Sequence, residues 1–456
     1  MKNLFLGFLL CTSTVFAQTK DELMIRQIFD KSLKDGRSYS MLEELCKQVG
    51  PRLSGSPGAA AAVEWSRNVM QEFGFDTVWL QPVMVPHWVR GPKEKARIVN
   101  SKKLGSQEVN ICALGGSIGT GAGGVTGEVV EVKDFDQLKA LGARAIQGKI
   151  VFFNRAMDPT KINTFEAYGG AVNQRGQGAV EAARYGAMAA VVRSMGSNLE
   201  DYPHTGGMRY SSDVPKIPAV AISTKHAELL SDLLKDDKEL KLYIESHCET
   251  LPDAPSFNVI GELRGKEFPN EVIVVGGHLD SWDLAEGAHD DGAGCVQSIE
   301  ALRILKAIGY QPKRTLRAVM FMNEENGLRG GLKYAEQAEL KKEEHIAAIE
   351  SDRGGFTPRG FTITASDEAR RVIQGWRELF EPYGIADFDQ RGGGADIGPL
   401  ESQGTALIGF LPDSQRYFNF HHTPEDTFDK VDKRELEMGA AAMTAMVFLL
   451  DQYGLK

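Results

Sequence analysis

Apolar residues recur at helical spacing near the start of the chain. Leu23, Ile25, Ile28, Phe29 and Leu33 form one stripe, and Met41, Leu42, Leu45 and Val49 form another. Such one-sided stripes predict amphipathic helices over 19–50. Gly50-Pro51 ends the second, and Gly55-Ser56-Pro57 opens a third that passes Trp65, Val69 and Met70 to reach Gly74. Residues 76–83 read as a strand, and the glycine-rich stretch 119–127 reads as a linker. Short strands at 128–132, 149–153, 189–192 and 217–222, with an alanine-rich helix at 176–185, form a small α/β module. It closes near residue 250, where Pro252 and Pro255 mark a boundary. A longer α/β unit follows. Its first strand, 272–276, is nearly all apolar, which suits burial on both faces. Further strands fall at 316–322, 346–350 and 406–410, with helices at 292–308, 328–338, 367–383 and 433–453.

Composition narrows the class. The 456 residues are 42% hydrophobic and 25% charged, which excludes wholesale disorder. Net charge is −10 and no basic run occurs, so nucleic acid is not an expected partner. Lys2, the apolar run 4–10 and Val15-Phe16-Ala17 predict a secretory signal over 1–17. A lipoprotein site at Cys11 is the lesser reading, because Leu10 before it is not small. No later run of about 20 apolar residues occurs, so no membrane association is expected after signal removal, and the expected location is secreted or periplasmic. Cys46, Cys112, Cys248 and Cys295 are too dispersed for a disulfide scaffold and include no C-x-x-C pair, which disfavours thiolate metal binding. Cys295, at a helix start, reads as a small core residue. Gly119–Gly127 lacks the Lys-Ser/Thr of a phosphate loop.

The chemistry lies at the strand ends, where open α/β sheets bind ligands. One end carries His278 and Asp280, the next Glu324-Glu325, the next Glu350-Ser351-Asp352, and the last leads to His421-His422. His289-Asp290-Asp291 lies between the first strand and its helix. Each has a bland reading alone: a helix cap, a turn residue, a solvated end or a loop histidine. Together, on one sheet edge, these carboxylates and histidines would repel or desolvate one another without a cation. Imidazole plus carboxylate without thiolate suits catalytic zinc, and a shared carboxylate among five ligands points to two metals about 3.5–4 Å apart.

Gly277 to Asp283, Gly287 to Gly294, Asn323 to Gly327, Glu350 to Asp352 and Phe420 to Thr427 resemble the co-catalytic di-zinc peptidases of the aminopeptidase and glutamate carboxypeptidase family. Gly50 to Gly58 is similar to that family's N-terminal region. The resemblance implies an α/β fold, a mixed central sheet flanked by helices, with an inserted protease-associated α/β domain. On that basis 1–17 is the signal, 18–119 and 251–456 are catalytic, and 120–250 is the insert. His278 and Asp352 would hold one zinc, Glu325 and His422 the other, and Asp290 both, giving two Zn2+ per chain. Glu324 would be the general base and Asp280 would orient His278. His421 would hydrogen-bond the tetrahedral intermediate. His289 would sit behind the ligands or at the surface, and Asp291 would cap the next helix. The expected activity is hydrolysis of short peptides, with a homodimer as the expected assembly. Trp282, Asp283, the glycines 392–394 and Asp396 are the candidates for substrate recognition. A single-zinc glutaminyl cyclase, a transferrin-receptor-like binding protein and a di-metal phosphoesterase are the rival readings.

Overall fold

The computed structural model describes residues 19–455; the predicted signal segment 1–17 lies outside the described residues. The chain builds two sheets. Strand β1 (Thr77–Val89) starts the first. The chain then leaves to make the second from β2 (Lys95–Ser101), β3 (Gly105–Val109), β4 (Ile111–Ala113), β5 (Val125–Val132), β6 (Ile150–Phe153), β7 (Ala189–Arg193), β8 (Ala219–Ile222) and β9 (Lys241–Glu245). It returns through β10 (Glu249–Leu263), β11 (Phe268–His278), β12 (Arg314–Phe321), β13 (Glu344–Glu350), β14 (Pro358–Thr364) and β15 (Ala406–Pro412).

The first sheet has the order β1-β10-β12-β11-β13-β15-β14. Strands β12, β11, β13 and β15 run parallel, while β1, β10 and β14 are antiparallel to their neighbours. The mixed sheet flanked by helices is therefore present. Alternation along β11 shows why its apolar run is needed. Ile273 and Val275 pack with the helices Lys20–Asp35, Pro57–Glu72, Ala293–Ala307 and Lys433–Tyr453. Val272 and Val274 pack on the other face against Tyr334, Ala335 and Ala338 of the helix Arg329–Lys341. Each side chain buried this way contributes about 1.5–3 kcal/mol. Among the described residues no helix is long and apolar enough to cross a membrane.

Three expectations change. Pro252 and Pro255 lie inside β10 and mark no boundary; Pro255 pairs with Met84 of β1. Proline is tolerated there because β10 meets β12 only from Val259 onward, so this stretch has an open flank. Strands β2 to β4, within the 18–119 segment, belong to the second sheet. Its order is β3-β2-β9-β5-β6-β7-β8-β4. The helix expected over 367–383 breaks into Asp367–Gly375, Arg377–Phe380 and a 3-10 turn at Glu381–Tyr383, where Pro382 cannot supply a helical donor.

Candidate metal centre

The parallel strands bring their carboxyl ends to one edge, and the order reverses around β11, whose neighbours β12 and β13 follow it in sequence. His278 ends β11. Its Nδ1 lies 2.9 Å from the backbone oxygen of Asp280, which fixes a proton on Nδ1 and leaves the lone pair of Nε2 for a metal. Nε2 faces Asp290 Oδ1 at 3.2 Å and Asp352 Oδ1 at 3.3 Å. Asp290 Oδ2 faces His422 Nε2 at 3.2 Å, and that same nitrogen is 3.0 Å from Glu325 Oε2. The five expected ligands thus form one continuous line, Asp352–His278–Asp290–His422–Glu325, with Asp290 presenting one oxygen to each half.

His421 stands apart from that line. Its Nε2 is 3.9 Å from Asp290 Oδ2 and its ring stacks on His422 with centroids 3.5 Å apart. Its Nδ1 is buried without a partner. Glu324 sits beyond the end of β12 in a turn, half-buried beside the array. Asp280 meets His278, as expected, and does a second job as well. Its backbone carbonyl, not its carboxylate, holds the His278 ring. The carboxylate Oδ1 instead accepts the backbone N–H groups of Asn323 (2.6 Å) and Glu324 (3.1 Å), which fixes the turn that carries Glu324.

The array is electrostatically unfinished. Burial, then the neighbouring Asp290, pushes Glu325 up to about 7. Burial also holds Glu324 well above the usual carboxylate range. Burial works against charge on His422, but Glu325 and Asp290 outweigh it and raise the ring to about 10. His278 is likewise raised by Asp352 and Asp290 against its own desolvation. The cluster retains protons where cations would serve. Glu325 Oε1 is buried without a hydrogen-bond donor. Imidazole nitrogens and carboxylate oxygens at these separations fit divalent metal of the catalytic kind.

The residues behind the array explain its placement. Asp426 accepts N–H groups from His289 and Asp290. Asp291 accepts the N–H groups of Gly294, the cap expected for the helix Ala293–Ala307, and of His278. Gly294 must lack a side chain, since a Cβ there would lie 1.9 Å from Ser351 O. Cys295 is fully buried, as a core residue should be. His289 is not at the surface: its ring packs against both Phe356 and Phe420, and burial lowers it to about 3, so it is neutral. Asn323 and His422 adopt φ of 76° and 62°, left-handed backbone that costs about 1–3 kcal/mol for a non-glycine residue.

The candidates for substrate recognition are held as follows. Asp283 pairs with the buried Arg90 guanidinium. Trp282 is packed between Trp88 and His422. The glycines 392–394 let the backbone press on Thr362, Leu407 and Glu350. Asp396 does not cap a helix; it is buried without a partner, and burial beside Glu350 holds it well above the usual range. The sequence reading missed the residues that the second sheet's layers send to this site. Thr205 N–H donates to His422 O at 2.9 Å, His204 Nδ1 meets His421 O at 2.9 Å, and Arg175 reaches the His422 ring. A cavity of about 990 Å³ lies between the two sheets, walled by Asp290, Glu324, Glu325, Asp352, His421 and His422 on one side and Tyr168, Arg175, Met208 and Tyr210 on the other.

Residues 258–447 match peptidase family M28. Carboxypeptidase Q from Bos taurus is 37% identical over 414 residues, 91% of this chain and 85% of the relative. The chain belongs to peptidase family M28. The human carboxypeptidase Q is 37% identical over 414 residues, 91% of this chain and 85% of its own length. The crystal structure of a peptidase M28 precursor from Shewanella amazonensis matches with a TM-score of 0.90 and 34% identity, covering 96% of this chain and 98% of that one. A zinc aminopeptidase from Bacillus subtilis shares the fold at a TM-score of 0.65 and 21% identity, covering 91% and 95%.

Proposed function

We propose that this M28 peptidase is an exported di-zinc exopeptidase that hydrolyses dipeptides or short peptides. Asp290 carries the reading: it offers one oxygen to His278, beside Asp352, and the other to His422, beside Glu325. In this assignment His278 and Asp352 hold one zinc, Glu325 and His422 the second, and Asp290 both. The zinc pair, when bound, supplies a polarised carbonyl and a water acidic enough to lose a proton near neutral pH. Glu324, beside the array, would be the carboxylate that accepts the attacking water's proton and passes it to the leaving amine, its burial making it a stronger base than an exposed glutamate. Asp280 keeps the Glu324 turn in register through its two backbone contacts. His421, whose burial keeps the ring neutral, donates a hydrogen bond to the oxyanion. The second sheet corresponds in this reading to a protease-associated domain inserted between β1 and β10, beginning near β2 rather than at residue 120. The leader 1–17 directs export to the periplasm or medium, and the assembly is a homodimer.

The test is mature protein with its metal counted, assayed on a dipeptide panel and on a phosphate ester. Two zinc ions per chain with dipeptide hydrolysis is the expected result. One zinc with cyclisation of N-terminal glutamine would replace it with a glutaminyl cyclase. Bound zinc without hydrolysis would replace it with a binding protein, and ester cleavage alone with a phosphoesterase.

A further inference from the structure

The loop between β7 and β8 reaches across to the turn that carries His421 and His422. Three of its groups meet backbone carbonyls there. The Tyr202 hydroxyl donates to Asn419 O at 3.3 Å, His204 Nδ1 lies 2.9 Å from His421 O, and the Thr205 N–H donates to His422 O at 2.9 Å. The turn itself satisfies the Phe420 carbonyl, through the Thr423 N–H at 3.0 Å. The two histidine carbonyls are instead satisfied from the second sheet. The Thr205 carbonyl also faces His422 Nδ1 at 3.3 Å, which leaves Nε2 toward Glu325 and Asp290.

His204 is built into this place. Its side chain is fully buried, and the chemistry described above makes no use of it. A carbonyl oxygen only accepts, so Nδ1 carries a proton. Nε2 lies 2.9 Å from Glu200 Oε2. Whichever member of that pair holds the proton between them, Nδ1–H stays aimed at His421 O. Gly196 makes the room, since a Cβ there would lie 2.9 Å from His204 Nε2 and 3.1 Å from Glu200 Oε2. Ser194 Oγ accepts the His204 N–H at 2.8 Å, and Thr224 Oγ1 accepts the Glu200 N–H at 2.7 Å.

The residue held in this way is His422. Its φ of 62° is left-handed backbone, which a β-carbon disfavours and which persists where the surroundings over-determine it. His204 fixes the peptide plane before it, and Thr205 fixes the plane after it. The other half of the array has no such dependence. The Nδ1 and backbone N–H of His278 are met by Asp280 O and Asp291 Oδ2, both beside β11 in the first-sheet unit.

We propose that His204 is a positioning residue of the metal centre: it holds the His421 carbonyl so that His422 keeps its left-handed backbone and presents Nε2 to Glu325 and Asp290. The half of the array at Glu325 and His422 then depends on the second sheet, and the half at His278 and Asp352 does not. This rests on the two-metal reading above and adds what holds one of its halves.

The test compares His204→Leu, which removes the donor, with His204→Asn, which keeps an N–H near the place of Nδ1. Hydrogen exchange is followed by mass spectrometry in the full chain in excess zinc, over residues 419–424 and over residues 279–290. His204→Leu is expected to speed exchange at 419–424 at least tenfold and to leave 279–290 unchanged, and His204→Asn to stay within threefold of wild type at both. Zinc titration of the same proteins is expected to show one ion of His204→Leu bound as in wild type and the other weakened about 10–100-fold, the usual effect of losing a group that orients a ligand. Faster exchange in both loops, or equal weakening of both ions, makes His204 a general support of the fold and overturns the proposal. Unchanged exchange in His204→Leu also overturns it, as does a His204→Asn protein that exchanges as fast as His204→Leu. Should His204→Leu not fold, Thr205→Val decides, because it keeps the shape and loses the hydroxyl bonds to Ala113 O and from Arg90. It is expected to speed exchange at 419–424 at least threefold, and no change there overturns the proposal. A wild type that binds fewer than two zinc ions removes the two-metal reading, and the exchange comparison still judges His204.

Discussion

Asp426 holds the peptide that carries Asp290: its Oδ2 accepts the Asp290 N–H at 3.1 Å while Oδ1 accepts the His289 N–H at 2.7 Å. One carboxylate therefore sets the backbone of the residue that faces both halves of the metal array. An asparagine in its place keeps one acceptor and turns a donor toward the other N–H. Asp426→Asn is expected to fold and to lose metal affinity by about 10–100-fold, the usual effect of removing a group that orients a ligand. Competition with a chelator measures it. Unchanged affinity would show that the Asp290 backbone needs no such support.

Glu324 and Asp290 separate chemistry from metal binding. Glu324→Gln is expected to retain full metal content and lose about 10²–10⁴-fold in kcat, the range supplied by a general base. Asp290→Ala is expected to lose metal from both halves at once. Metal analysis beside steady-state kinetics reads the pair, and a fully active Glu324→Gln enzyme rejects the base assignment.

The metal-free protein should lose stability as pH rises above neutrality. His422 rises from 6.5 to about 10 on folding, because Glu325 and Asp290 outweigh its burial. That stabilisation is complete below pH 6.5 and is lost as pH climbs through about 10. Glu325, raised from 4.5 to about 7 chiefly by burial, favours the fold when protonated and loses that contribution between pH 4.5 and about 7, so above pH 7 the slope is left to His422. Both effects have the same sign. The thermal midpoint of chelated protein is expected to fall more steeply between pH 7 and 9.5 than that of metal-loaded protein, where cations replace the protons. A rising midpoint in the chelated protein would contradict this.

Arg52 is fully buried and donates to the backbone oxygens of Leu279 (2.6 Å), Glu286 (2.5 Å) and Gly287 (2.8 Å). It ties down the loop between His278 and Asp290. Arg52→Met leaves those carbonyls buried without a donor, and each such group costs about 1–3 kcal/mol. Urea unfolding of the metal-loaded variant is expected to show a loss of about 3 kcal/mol or more.

The strands that carry the array are legible from sequence because each is a short apolar run ending in a chemically distinctive pair, as at Gly277-His278 and Met322-Asn323-Glu324. Burial on two faces and ligand binding at strand ends are local rules. The departures come from contacts that sequence separation conceals. Asp280 was expected to orient His278, two residues away, and its backbone oxygen does meet that ring, but its carboxylate reaches Asn323 and Glu324 more than forty positions on. Pro252 and Pro255 look like punctuation because nothing nearby reveals that β10 has an open flank opposite β1. Lys95–Ser101 does alternate, with Ala96 and Ile98 inward, but only the sheet order shows which core receives them. Arg175 and Thr205 have no local mark at all; their meaning depends on a loop more than two hundred residues downstream.

Val89 lies opposite Glu249, so the chain departs for the second sheet and comes back at neighbouring rungs of one ladder. A short turn could bridge those rungs and leave the larger sheet intact. Such an excised protein would keep all five metal-facing side chains but strip away His204, Thr205 and Arg175, exposing the histidine loop to solvent. Grafting this unit from one relative to another would therefore change the groups around the histidine loop while the five metal-facing side chains stayed in place.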